Sequence, residues 1–227
     1  MELNNSSLAE VCLDNYYFPI KVVSKHNSEG QDTVSKIRVK AQIATEHENI
    51  FCQKILGIIN DTNSYIGLNQ LSANILEYFN VIESPSAVIN YKYPYFVKRK
   101  FANSKEYFTA KYVCVYTFEK KSLLKIGKKF KVEVPVYGLI DYNKSNLKIP
   151  QKISVEIDGL DTIFAEDIIE VVEDVLINST QKYFSIEENG GEENVSIILL
   201  ESIRNKLFNK YNFYSSAIEV TSRNKQC

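Results

Sequence analysis

With 227 residues, 44% of them hydrophobic and 24% charged, the chain has an ordinary globular composition and can bury a core in one domain or two small modules. Its formal net charge of −1 gives no global attraction to nucleic acid or an anionic membrane, so neither is expected as a partner. No apolar run approaches the roughly 20 residues that span a bilayer. The polar start at Met1–Leu8 lacks the shape of a secretory signal, so a cytoplasmic location is expected.

The aromatic residues are 15 Tyr and 12 Phe with no Trp, a balance that leans towards sheet. Residues 1–14 read as a flexible lead. Tyr17 to Val23 reads as a strand, and the turn at Lys25–Gly30 leads into the alternating run Val34, Ile37, Val39, Ala41 and Ile43. Phe51, Ile55, Ile58 and Ile59 predict a helix over 48–59. After a polar break at 60–64, Leu68, Leu71, Ile75, Leu76 and Phe79 predict a second over 68–79. Two long strands follow, over 86–99 and 106–119.

The second half repeats this order. Phe130, Val132, Val134 and Val136 alternate with polar neighbours, as do Ile153, Val155 and Ile157. Asp161-Thr162 offers a cap for a helix over 164–176, whose stripe is Ile168, Ile169, Val172 and Leu176. A helix over 195–208 and a strand over 213–222 close the chain. The pattern predicts an α+β fold of two tandem modules, 15–122 and 123–227, each an antiparallel sheet backed by a helix pair, the second lacking its last strand. Two four-stranded sheets leave unpaired edges, and closing them into a barrel requires neighbouring copies. A homo-oligomer with pockets at subunit contacts is therefore expected.

Five fragments carry a resemblance: Phe18-Pro19-Ile20-Lys21-Val22, Tyr93-Pro94-Tyr95-Phe96-Val97, Val134-Pro135-Val136, Glu166-Asp167-Ile168-Ile169-Glu170-Val171-Val172-Glu173 and Ile218-Glu219-Val220. In order and spacing, from Tyr17 to about Arg223, they resemble the GTP cyclohydrolases of type IB. That resemblance implies the tunnelling fold, a purine- or pterin-like ligand, and a zinc or manganese ion that serves purine-ring opening. The departures fall on the metal site. The family's Cys-Pro-Cys-Ser stretch reads Ile140-Asp141-Tyr142-Asn143, and its ligand histidine falls in Ile149-Pro150-Gln151. Its C-terminal Glu-Ser-Ile-His-Asn-His block has no counterpart before Cys227. Of the implied ligands only Glu166 remains.

The candidate site residues follow from this. Asp141, Tyr142 and Lys144 occupy the former catalytic loop, and His47 stands near the family's His-Met-Ser-Arg segment; these are the catalytic candidates. A carboxylate can accept two parallel N–H bonds from a purine's amidine edge, which makes Glu187 and Glu188 ligand-binding candidates, in an acidic loop with Glu192 and Glu193. Glu166, Asp167, Glu170, Glu173 and Asp174 otherwise make the wet face of their helix. Lys120, Lys121, Lys125, Lys128, Lys129 and Lys131 read as a solvated hairpin whose lysines guard an edge. His26 reads as a turn residue, and the four widely spaced cysteines as reduced core filler. No nucleophilic triad, P-loop or HExxH pattern stands at usable spacing.

The leading expectation is a diverged relative that keeps the pocket, has no cofactor and lacks metal-dependent ring opening. Two others stay open: an active cyclohydrolase holding a divalent ion through substitutes such as Asp141, His47 and Glu166, and a non-catalytic subunit paired with an intact paralogue.

Overall fold

The computed structural model describes residues 8–26, 28–61, 65–66, 75, 78–80, 84–101, 105–122, 125–136, 150–159, 163–186, 192–213 and 215–222. Eight strands form one open sheet in the order β3-β1-β2-β4-β5-β6-β7-β8, rather than two four-stranded sheets. They are β1 (Leu8–Val22), β2 (Gln31–Ala44), β3 (Tyr65–Ile66), β4 (Ser86–Lys100), β5 (Tyr107–Ser122), β6 (Lys125–Pro135), β7 (Pro150–Asp158) and β8 (Ser215–Ser222). Three helices are described: α1 (Glu48–Asp61), α2 (Ala165–Ile186) and α3 (Glu192–Tyr211). The chain falls into two compact units, Met1–Tyr93 with Val115–Lys129 and Gly159–Ile163, and Pro94–Cys114 with Phe130–Asp158 and Phe164–Cys227.

In the first unit, β1 and β2 form the expected antiparallel hairpin. The strand nevertheless begins at Leu8, inside the segment read from sequence as a lead. A bulge explains the misreading. Leu13 pairs with Val39 but Tyr16 pairs with Ile37, so β1 carries one extra residue there. Asn15 sits at φ +59°, a conformation asparagine tolerates, and its N–H is met by Asp14 Oδ1 at 2.8 Å. The inward positions switch from odd numbers (Val11) to even (Ile20, Val22), which hides the alternation from a period-2 reading.

Helix α1 buries Phe51, Ile55, Ile58 and Ile59, the stripe its spacing predicts. Ile75, Tyr78 and Phe79 are helical and buried, while the remainder of the predicted 68–79 helix lies outside the described residues. The two-residue strand β3, parallel to β1, was not foreseen.

In the second unit, β7 and β8 pair antiparallel, with Ile153 opposite Val220. Phe130, Val132, Val134, Ile153, Val155 and Ile157 are buried, as their alternation requires. Ile168, Ile169, Val172 and Leu176 of α2, with Ile203 and Leu207 of α3, complete this core. Among the described residues no helix is long and apolar enough to cross a membrane. Cys114 is buried as free thiol, but Cys12 and Cys52 are exposed rather than core filler, and Cys227 lies outside the described residues.

Candidate functional site

Helix α2 carries the one implied metal ligand. The expected cap at Asp161-Thr162 lies outside the described residues. The contact that is seen comes from within the helix: Asp167 Oδ2 accepts the Phe164 N–H at 3.1 Å, the reaching-back half of a capping box. Two negative side chains in the first turn, Glu166 and Asp167, also suit the positive end of the helix dipole.

The wet face expected of this helix is not observed. Glu166, Asp167 and Glu173 are only 6%, 5% and 8% exposed. The half-buried Glu170 and Asp174 are turned to α3, where Lys210 Nζ meets Glu170 Oε2 at 3.1 Å and Lys206 pairs with Asp174. The helix is covered on two sides, by the sheet and by α3, so its polar residues are enclosed as well as its apolar ones.

Enclosed carboxylates need partners, and β4 and β5 supply them. The Tyr95 hydroxyl donates to Glu166 Oε1 at 2.8 Å. Arg99 Nε lies 3.0 Å from Glu173 Oε1 and 2.9 Å from Oε2, and the Tyr112 hydroxyl donates to the same Oε1. Burial works against the charge of Arg99, but its hydrogen bond and attraction to Glu173 outweigh it and hold the guanidinium above its ordinary range. Burial, then the bond to Glu173, pushes the Tyr112 phenol well above its ordinary value. The Arg99 guanidinium also lies 5.9 Å from the centre of the Tyr112 ring.

Arg99, Tyr112 and the burial of Glu173 escaped the sequence reading. A signal was present. The inward positions of β4 run Ala87, Ile89, Tyr91, Tyr93 and Tyr95, and the same period reaches Arg99. Glu173 stands two turns after Glu166, on the same face of its helix.

The remaining candidates are scattered. His47 ends the 3₁₀ turn Thr45–His47 in the first unit, half-buried, with Nε2 4.0 Å from Glu46 Oε1. His26 is exposed. Asp141, Tyr142, Lys144, Glu187 and Glu188 lie outside the described residues. The lysine run departs from expectation. Lys120 is buried, its Nζ donating to the Phe79 carbonyl at 3.4 Å, and β5 and β6 are interior strands with no edge to guard.

Zinc takes nitrogen and sulfur donors in tetrahedral array, and manganese takes several oxygens. Among the described residues no three His, Cys, Asp or Glu side chains converge to hold an ion. Ile140 and Tyr142, standing where the thiolates would, supply no such donor. The residues present do not fit the metal that the resemblance implies.

No family model matches the chain. A relationship to one characterised protein is measurable. The chain is 25% identical over 179 residues to GTP cyclohydrolase FolE2 of Thermosipho africanus (strain TCF52B). The likeness is distant. The matched region covers 74% of this chain and 66% of that protein, just under two thirds of its length. A GTP cyclohydrolase-like relationship follows, and the α+β architecture with its largely antiparallel sheet is compatible with a tunnelling-like fold.

Proposed function

We propose that this chain is a diverged type IB cyclohydrolase-like protein that binds a purine- or pterin-like molecule and lacks metal-dependent opening of the purine ring. The observation that carries the reading is selective replacement. The carboxylate helix and its flanking strands keep the family's order, whereas both thiolate positions of the metal loop are Ile140 and Tyr142. The buried hydrogen bond between Tyr95 and Glu166 supports it, because the surviving carboxylate is engaged by a phenol of the sheet. In this reading 15–122 and 123–227 are tandem tunnelling-fold-like modules that close a barrel in a homo-oligomer. Subunit contacts then bring Glu187 or Glu188 to the ligand's N–H edge, with Asp141, Tyr142, Lys144 and His47 nearby.

The test is to incubate the protein with GTP and either Zn²⁺ or Mn²⁺ while following pterin fluorescence, and to titrate purines and pterins by calorimetry. The expected result is saturable binding without fluorescent product and without stoichiometric zinc. Robust turnover with either ion overturns the proposed loss of hydrolysis and favours substitute ligands. Absence of binding, with an intact paralogue co-purifying, favours a non-catalytic subunit.

A further inference from the structure

The end of the β4–β5 hairpin carries a cationic and aromatic surface that the proposed ligand pocket does not use. Even-numbered residues of β4 beyond Tyr95 and odd-numbered residues at the start of β5 point away from the buried face, as the alternation of burial shows. They place Phe96, Lys98 and Lys100 beside Tyr107 and Lys111 on the helix-free side, all five exposed, with exposed Lys105 at the hairpin end. The two rings are uncommonly open for their size: Phe96 is 38% exposed and Tyr107 60%. The Lys98 ammonium lies 5.1 Å from the Tyr107 ring centre, so cation and π-face occupy one place.

The charge there is unbalanced. From Phe96 to Lys111 the chain holds Lys98, Arg99, Lys100, Lys105 and Lys111 against a single acid, Glu106, and only Arg99 is drawn inward to Glu173. A net charge of −1 over the whole chain conceals this local excess. Along the strand, Phe96 to Lys100 spans about 13 Å, too long for one phosphate group and suited to an extended polyanion. Open rings add a second requirement. A bare polyphosphate leaves them idle, and a duplex keeps its bases stacked on one another. A single strand presents both phosphates and unstacked base faces.

We propose that this face of the β4–β5 hairpin binds single-stranded nucleic acid, with the bases on Tyr107 and Phe96 and the phosphates on Lys98, Lys100 and Lys111.

The test is fluorescence anisotropy with a labelled oligonucleotide of about 12 nucleotides, within the roughly 4–16 that comparable surfaces cover. Between about 50 mM and about 200 mM salt, log affinity should fall against log salt with a slope of about −2, as expected for three phosphate contacts on a single strand. Tyr107→Ala should weaken binding by about 5- to 100-fold. The double variant K98E/K100E should weaken it further and flatten the slope, while K36E/K92E in the first unit leaves it unchanged. Circular dichroism confirms that each variant is folded. No saturable binding at about 50 mM salt overturns the proposal. So does binding insensitive to Tyr107→Ala and matched by inorganic polyphosphate, and so does a preference for anionic vesicles over the oligonucleotide.

Discussion

Tyr95 Oη donates to Glu166 Oε1 at 2.8 Å, which ties the first turn of α2 to an inward position of β4. Both groups are enclosed, so neither exchanges this bond for water at low cost. Tyr95→Phe removes the donor and strands the acceptor; it should lower stability by about 1–3 kcal/mol, read as a reduced urea midpoint at unchanged slope. Glu166→Gln keeps an acceptor oxygen and should cost less than Tyr95→Phe. The opposite ranking argues that this bond does not anchor the helix.

The second anchor is ionic. Arg99 is 25% and Glu173 11% exposed at the side chain, so water only partly screens the pair. Arg99→Ala leaves a nearly buried carboxylate with the Tyr112 hydroxyl in place of a charged partner. A loss of about 2–4 kcal/mol is expected, somewhat under the range for fully buried pairs. Arg99→Lys should recover only part of it, because one ammonium cannot reproduce a planar guanidinium beside a ring. Guanidinium denaturation of the three proteins, compared by midpoint, checks the order.

Alkaline pH should weaken the fold through Tyr112. Its phenol binds its proton more tightly when folded, chiefly because burial disfavours phenolate and secondarily because Glu173 accepts its hydrogen bond. Stability from the neutral phenol is therefore whole below the ordinary tyrosine value of about 10, and drains away as pH rises above it. Urea midpoints between about pH 8 and pH 11 should fall for the wild type and fall less steeply for Tyr112→Phe. Parallel curves would show that Tyr112 does not govern the alkaline limb. Tyr91, likewise raised by burial and by Tyr78, supplies the background loss common to both proteins.

Lys120 offers a test of a different kind. Its ammonium has a 3.4 Å bond to the Phe79 carbonyl and lies 5.9 Å from the Phe79 ring centre. Replacing an enclosed charge by an apolar side chain of similar length is often neutral or stabilising. Lys120→Met should change the melting temperature little or raise it, while Lys120→Glu should destabilise strongly. A large loss in Lys120→Met would mean that the bond to Phe79 matters more than the cost of burying the amine.

Gly30 closes the β1–β2 turn at φ +77°, and a Cβ there would meet Lys21 Cγ at 2.7 Å and the Val22 oxygen at 3.0 Å. Gly30→Ala should cost about 1–2 kcal/mol, from the left-handed backbone and the contact together. Gly57 in α1 has open space around an added Cβ, so Gly57→Ala should stabilise by up to about 1 kcal/mol. Thermal melts of the two variants should move in opposite directions.

Much of the fold was legible because its signals are local. The stripe Phe51, Ile55, Ile58 and Ile59 was enough to find α1, and the alternation around Val132 and Val155 was enough to find β6 and β7. The start of β1 was lost because a bulge at Asn15 reverses the inward parity partway along the strand. Strand β3 was lost because two residues carry no period. Of the polar cluster, the family likeness singled out Glu166, but its phenol partner lies 71 positions away, and no spacing rule pairs them.

By itself, then, the sequence determined which residues turn inward along each strand and helix, and that the donors of the implied metal loop are replaced. These are properties of a segment's own period and of residue chemistry. Only the tertiary structure decided that Glu166, Asp167 and Glu173 are enclosed rather than wet. A helix has one apolar stripe in its own sequence, but the water around the rest of it depends on what else packs there. Here the sheet and α3 cover α2 together. That turned a solvated acidic face into a buried network held by Tyr95, Arg99 and Tyr112.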